Sequence, residues 1–508
     1  MSAVIFAYLV RHFVFTLTAL RSSWRRKELN GTNRTLYPHF VSIVIPARNE
    51  ERVIGRLLQR INELTYPKER VEIIAVDDGS SDSTGTIMEY FAKANGRLKV
   101  IHRSPEESGR GKASALNAAL RHVNGEIVVC FDADYYPQRD ILERLLNEFL
   151  DPKVGVVQGR VTVLNEPKNI VTRLVALERI GGYRVNQYAR QILRLIPQFG
   201  GTVGAVRKGL LDQIGGWDES ALTEDTDLTF RAYLAGYKVR YVNNAECYEE
   251  AVESWRAYWR QRRRWAEGHM AAALKHSVPV LKNKKLTLRE KVDGILLLNV
   301  YFMPLLVLFS WIIGVLLFFS GSSQWISALW FFILMSFYSF AGNFAPFFEV
   351  GIGTYLDGRS RALWLMPLLL FTFLYNVAIC TKAFADLCLV KVFGRKQRSW
   401  CKNYSLWRWK KLYYKLRRNI RKTSMALEEF QTFIVIAFGA FFFIMLLPAL
   451  LELKKPGDAG PRRIDDCSIL LEEQLRIASL EKTEDMKFDQ ALVSKVSQII
   501  AALPNLET

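Results

Sequence analysis

The sequence has few cysteines and no pattern among them. Its six cysteines, at 130, 247, 380, 388, 401 and 467, include no C-x-x-C pair. That excludes the usual spacing of a structural zinc site and gives no basis for a disulfide framework. A cleavable leader pattern is also missing. Residues 1–20 are apolar apart from Arg11 and His12, and Arg21, Arg25, Arg26 and Lys27 follow the apolar run instead of preceding it. We read 1–27 as an N-terminal membrane anchor, with a partly interfacial helix as the alternative. Acids are absent from one long stretch: Lys391 to Lys422 is densely basic and contains no Asp or Glu.

What is abundant is apolar sequence and positive charge. Half of the 508 residues are hydrophobic and the net charge is +19. The basic residues bunch beside apolar segments, as cytoplasmic flanks of membrane spans do, so no nucleic-acid partner is expected. Residues 294–319, 325–348 and 430–451 read as spans. If the basic block is cytoplasmic and the first two spans form a hairpin, 362–390 cannot cross once. It is expected to enter and return, or to lie partly at the interface, and its Asn376, Lys382 and Asp386 suit that. The chain therefore divides into an anchor (1–27), a soluble domain (38–250) and an interface helix with connector (251–292). Transmembrane and interface helices (293–390), a basic cytosolic segment (391–429), a last span (430–451) and a helical tail (452–508) follow.

The soluble stretch alternates strands and helices. Strands are expected at Val41–Ile45, Val71–Val76, Leu98–His102 and Glu126–Phe131, and helices at Asn49–Leu64, Thr84–Ala94 and Lys112–Arg121. This is the pattern of a doubly wound, mainly parallel α/β sheet, which binds ligands beyond the carboxyl ends of its strands. Two acidic loops sit at such ends. Asp132 and Asp134 suit a hard divalent cation bridging to a diphosphate, with a solvated turn as the bland reading. Asp77 and Asp78 can accept hydrogen bonds from a nucleobase and its ribose. The turn Gly109-Arg110-Gly111-Lys112 opens a helix and suits phosphate, although it does not fit a Walker A pattern. Thr223-Glu224-Asp225 reads either as a helix cap or as a general base, Asp225, aimed at a hydroxyl. Phe199-Gly200-Gly201-Thr202 is a flexible turn whose backbone can approach a ligand. Residues 168–196 and 249–276 look like amphipathic surface or membrane-lying helices. The second contains Gln261-Arg262-Arg263-Arg264-Trp265, which by itself reads as a basic membrane flank or as a grip for a polyanion and a flat ring.

The ordered set Pro46-Ala47-Arg48-Asn49-Glu50, Asp77-Asp78-Gly79-Ser80, Asp132-Ala133-Asp134, Thr223-Glu224-Asp225 and Gln261-x-x-Arg264-Trp265 resembles the processive membrane glycosyltransferases of family 2. These are the cellulose, chitin, hyaluronan and poly-N-acetylglucosamine synthases. The resemblance covers roughly residues 40–400 and implies a GT-A-type nucleotide-sugar domain with α-helical membrane and interface segments. It implies that Ala47, Glu50, Asp77, Asp78 and Lys112 surround the nucleotide. Asp132 would contact the nucleotide, and Asp134 would hold Mg²⁺ or Mn²⁺ with it. Asp225 would be the base, beside Glu224. Gln261 and Arg264 would bind the diphosphate, Trp265 would stack on the acceptor, and Gly201 and Thr202 would line the acceptor site. Arg398 and Trp400 look like a gating loop, although Asn403-Tyr404 departs from the common pattern.

The activity implied is transfer of sugar from UDP-glucose or UDP-N-acetylglucosamine, with inversion, to a growing polysaccharide that then crosses the bilayer. The implied setting is a multi-pass cell-membrane protein with a cytoplasmic catalytic domain and an accessory subunit or homo-oligomer as a possible partner. The alternative is a non-processive enzyme making a glycolipid or lipid-linked sugar, against which the Q-x-x-R-W motif argues. A catalytically silent scaffold or pore is disfavoured by the intact Asp132, Asp134 and Asp225.

Overall fold

A computed structural model describes residues 2–25, 39–319 and 344–393. All of them belong to one compact unit, Met1–Thr432. The expected gating loop, the span 430–451, the tail and most of 325–348 lie outside the described residues.

Eight strands form one sheet: β1 Val41–Ala47, β2 Val71–Asp77, β3 Leu98–His102, β4 Ile127–Cys130, β5 Tyr135–Pro137, β6 Val154–Val163, β7 Gly204–Arg207 and β8 Lys238–Glu249. Their spatial order is β3-β2-β1-β4-β7-β6-β8-β5. The first four are parallel, as expected from the alternation. The second half is mixed, because β7 runs antiparallel to both β4 and β6 while β6 and β8 are parallel.

The helices are α1 Ser2–Arg25, α2 Ile54–Asn62, α3 Thr84–Ala94, α4 Lys112–Leu120, α5 Ile141–Leu146, α6 Ile170–Arg179, α7 Tyr188–Leu193, α8 Lys208–Ile214, α9 Glu224–Ala235, α10 Trp255–Lys282, α11 Leu288–Leu298, α12 Met303–Phe319, α13 (344–356) and α14 Leu368–Phe393. Alternation along the strands feeds two cores. Val41, Ile43 and Ile45 pack with α2, α3 and α5 on one face, and Val44, Val128 and Cys130 pack with α4, α8 and α9 on the other. Helix α2 starts five residues later than expected. Asn49 takes a left-handed φ of 56° and turns the chain back over the end of β1 before the helix begins.

The expected helical stretch 168–196 holds a surprise. Between α6 and α7, Ile180–Gln187 forms a π-helix, a rare form that concentrates at functional sites. Helix α10 runs past 276 to Lys282, and Pro279 lies inside it.

Two described helices, Val4–Ser23 and Leu368–Cys388, are long and apolar enough to cross a membrane. A third candidate is the pair Leu288–Leu298 and Val300–Ile313, bent by 44°. Helix α14 is continuous, so of the two arrangements expected for 362–390 it does not enter and return. Two of its polar residues meet α10: Asn376 donates to the Tyr258 hydroxyl at 3.1 Å, and Asp386 holds Arg263 at 2.6 Å, while Lys382 pairs with Asp386 along the helix.

Candidate active site

One cavity of about 550 Å³ opens over the carboxyl ends of β1 and β4. Ala47, Glu50, Asp78, Lys112, Asp132, Asp134, Thr202, Glu224, Asp225, Gln261, Arg264 and Trp265 all line it. The loops converge because parallel strands deliver their carboxyl ends to one edge.

Asp77 departs from expectation. Its carboxylate accepts from Ser80 N–H at 3.0 Å and meets His102 at 3.1 Å, so it shapes the loop and does not line the cavity. Asp78 is the member that faces inward. Burial pushes its carboxyl up, against the opposing pull of Arg103.

Lys112 opens α4 and is the hub of the site. Its ammonium holds Asp132 at 2.5 Å, donates to the Gly201 carbonyl at 2.8 Å and stands 4.0 Å from Glu224. Burial lowers its pKa, but Asp132 and Glu224 outweigh that and raise it. Asp134 has no such cation. Burial, then repulsion from Asp132, Glu50 and Glu249, pushes its carboxyl up to about 7. A crowd of acids with one member that no cation among the described residues compensates fits a divalent cation, which Asp134 and Asp132 would hold. Among the described residues no cluster of three ligating side chains forms a cage.

Asp225 begins α9. Its Oδ1 accepts from the Thr226 N–H at 2.6 Å. Gly201, with φ of 79°, backs the same side chain, and a Cβ there would come within 3.3 Å of the Asp225 Cβ. Gly201 is therefore a wall behind Asp225 and does not itself line the cavity. Thr202 holds the Asp132 N–H at 3.0 Å. Burial, opposed by Lys112 and reinforced by Asp225, raises the Glu224 carboxyl. Thr223 does not cap α9 with its side chain, contrary to the capping reading. It packs against Gly268 instead, where an added Cβ would lie 2.4 Å from the Thr223 methyl. That close approach lets α10 press against the start of α9.

The Q-x-x-R-W segment divides as a helix should. Gln261, Arg264 and Trp265 face the cavity. Arg262 is buried and holds Glu178 of α6 at 2.6 Å, while Arg263 holds Glu267 and Asp386. Each is held by neighbouring carboxylates, as expected of charges that stand outside the chemistry. The Trp265 ring is already engaged, with the guanidiniums of Arg262 at 4.3 Å and Arg179 at 5.1 Å from its centroid.

Several lining residues were not legible in the sequence. Arg179 binds Glu249 at the end of β8, and Glu249 accepts from the Tyr135 hydroxyl at 2.7 Å. This chain links the Trp265 wall to the Asp132–Asp134 loop. Gly182, Tyr183, Asn186 and Gln187 enter the cavity from the π-helix. His269, one turn beyond Trp265, stacks on Tyr301 with centroids 4.5 Å apart, and burial lowers its pKa. A glycine pair at 181–182 and a histidine in register with Trp265 were the only signals available.

Residues 38–268 match the family model described as glycosyltransferase like family 2. A probable glycosyltransferase YdaM of Bacillus subtilis is 39% identical over 246 residues, 48% of this chain and 59% of that protein. The beta-monoglucosyldiacylglycerol synthase of Trichormus variabilis is 36% identical over 279 residues, 55% of this chain and 58% of that protein. A poly-beta-1,6-N-acetyl-D-glucosamine synthase of Staphylococcus epidermidis is 30% identical over 249 residues, 49% and 59% of the two chains. The matches thus span under two thirds of these relatives' length. Among solved structures, the mannosyltransferase PcManGT from Pyrobaculum calidifontis, in complex with GDP-Man and Mn2+, aligns with a TM-score of 0.46 at 23% identity, over 71% of this chain and 98% of that one. Residues 38–268 are thus similar to family 2 glycosyltransferases, and they carry the eight-stranded α/β sheet described above.

Proposed function

We propose that the chain transfers one hexose from a UDP-sugar, with inversion, to the hydroxyl of a membrane lipid. The observation that carries this reading is the continuity of the cavity. Asp132, Asp134 and Asp225 share it with Leu297 of α11, Val300, Tyr301 and Arg11 of α1, and α1 is apolar enough to cross a membrane. An acceptor arriving from the bilayer side reaches Asp225 without leaving protein. The relatives named for a glycolipid product are 36–38% identical to this chain, against 30% for the polymer synthase. Q-x-x-R-W loses weight as evidence for a polymer, since the Trp265 ring faces two guanidiniums.

Asp225 takes the proton from the acceptor hydroxyl as that oxygen attacks the anomeric carbon. Thr226 N–H fixes the carboxylate, and the Gly201 wall keeps it aimed. Arg264 and Lys112 stabilise the charge that develops on the departing diphosphate. A divalent cation at Asp134 would neutralise the same phosphates. No side chain is assigned as a covalent nucleophile, so a single displacement gives a β-linkage from an α-linked donor.

The test is purified protein in nanodiscs with Mn²⁺, diacylglycerol, and UDP-glucose or UDP-N-acetylglucosamine. A lipid bearing one β-linked sugar, seen by mass spectrometry and by the anomeric coupling in NMR, is the expected product. Long polymer without glycolipid would replace this reading with the polysaccharide synthase. No UDP release from either donor would remove both.

A further inference from the structure

The cavity does not end at Trp265. It continues between α7, α11 and α1, where Arg11, Arg190, Leu297 and Val300 line it. Both arginines are buried, with 8% and 3% of their surface exposed. Among the described residues they share a single close carboxylate: Asp293 lies 3.2 Å from Arg190 and 4.0 Å from Arg11. Asp293 is further engaged by the Ile196 N–H at 3.1 Å. Glu349 is the other nearby acid, and it is taken up by His12 at 2.5 Å and by Asn186 at 3.1 Å. Arg11 spends one nitrogen on Asn186. Among the described residues its Nε and Nη1, and Nη2 of Arg190, are buried with no hydrogen-bond partner. The Phe15 ring lies 5.1 and 5.3 Å from the two guanidinium carbons and positions both.

Buried charged donors left unmet are costly, and a structure keeps them where something else meets them. The matching acceptor is a compact anion with several oxygens, because guanidinium forks engage phosphate through paired hydrogen bonds. Arg11 lies within Val4–Ser23, a segment long and apolar enough to cross a membrane, where an arginine is exceptional. The same helix exposes Phe6, Val10, Val14 and Leu17, surface suited to acyl chains.

We infer that Arg11 and Arg190 form a phosphate subsite at the lipid side of the cleft, filled by the headgroup phosphate of an anionic membrane lipid. The subsite is separate from the donor's diphosphate loops. It goes beyond the transfer reaction above and does not depend on it.

The test is native mass spectrometry of the full chain in detergent, with UDP and Mn²⁺ present so that the donor site is filled. Phosphatidylglycerol, diacylglycerol and inorganic phosphate are the probes. One phosphatidylglycerol is retained, and Arg11→Gln weakens its binding roughly tenfold or more, as expected for lost charge-assisted hydrogen bonds. Arg11→Lys and Arg190→Lys keep the charge and weaken binding by less. These two variants decide the matter if Arg11→Gln fails to fold by thermal melting. Displacement of the lipid by inorganic phosphate at comparable concentration would show a free-anion site and overturn the lipid assignment. Equal retention by wild type and all folded variants, or diacylglycerol held as tightly as phosphatidylglycerol, would overturn the subsite itself. Loss of sugar transfer with arginine-dependent lipid retention intact would count against the proposed reaction alone.

Discussion

Asp225, Asp134 and Asp227 are three carboxylates with three different tasks. In the mechanism proposed above, replacing Asp225 with Asn removes the proton acceptor. Turnover is expected to fall by about 10²–10⁴-fold, with UDP binding by calorimetry unchanged. Asp134 carries a pH signature. Its carboxyl rises from 3.8 to about 7 on folding, so the folded protein binds a proton the unfolded chain has released. Metal-free protein therefore loses stability as pH rises through that window. Mn²⁺ needs the ionised form, so it should raise the melting temperature more near pH 7.5 than near pH 5.5; equal shifts would count against Asp134 as ligand. Asp227 has the opposite sign. Burial pushes its carboxyl up, but His276 and Lys275 outweigh that and hold it well below the ordinary range. Its contribution is present at neutral pH and lost on acidification. Asp227→Asn should destabilise by about 3–5 kcal/mol, as breaking a buried pair does, measured by urea unfolding at neutral pH. The carboxylates at 78, 132, 134 and 225 were legible because acids gather at strand and helix ends. Glu249 and His269 were not, since what gives them meaning is a partner 70 residues away, Arg179, and a ring on another helix, Tyr301.

At the scale of elements, contact between α9 and α10 depends on a residue without a side chain. Gly268→Val would drive a branched side chain into Thr223. A loss of about 1–3 kcal/mol is expected from overpacking, together with a loss of turnover as Asp225 and Arg264 separate. A melt and a rate measured on the same sample check both. The first half of the sheet was legible because strand and helix periods alternate cleanly from Val41 to Cys130. The second half was not. In β6 every residue is buried although Gln158, Arg160 and Thr162 are polar. Gln158 reaches the loop at Gly200, and Arg160 pairs with Glu246 and Asp357, so the polar face of an alternating strand is buried by partners distant in the chain. The π-helix was invisible for a related reason: its composition is that of an ordinary amphipathic helix.

At the scale of the whole molecule, one membrane-type helix lines the site and another braces the helix that does. Helix α1 reaches the catalytic unit through Arg11 and Phe15, and α14 reaches it through Asn376 and Asp386. The pair Arg263–Asp386 is partly exposed, so a double-mutant cycle should give a coupling of only about 1 kcal/mol. The larger change is expected in rate. Two consecutive residues of α10, Arg262 and Arg263, are held by different elements, Glu178 on α6 and Asp386 on α14. Neighbouring residues on a helix point about 100° apart, so these two grips fix the rotation of α10 about its own axis. The helix can slide or bend slightly, but it cannot roll without breaking one of them. Gln261, Arg264 and Trp265 thus face the cleft at a set azimuth, and two arginines outside the chemistry act as its torsional lock.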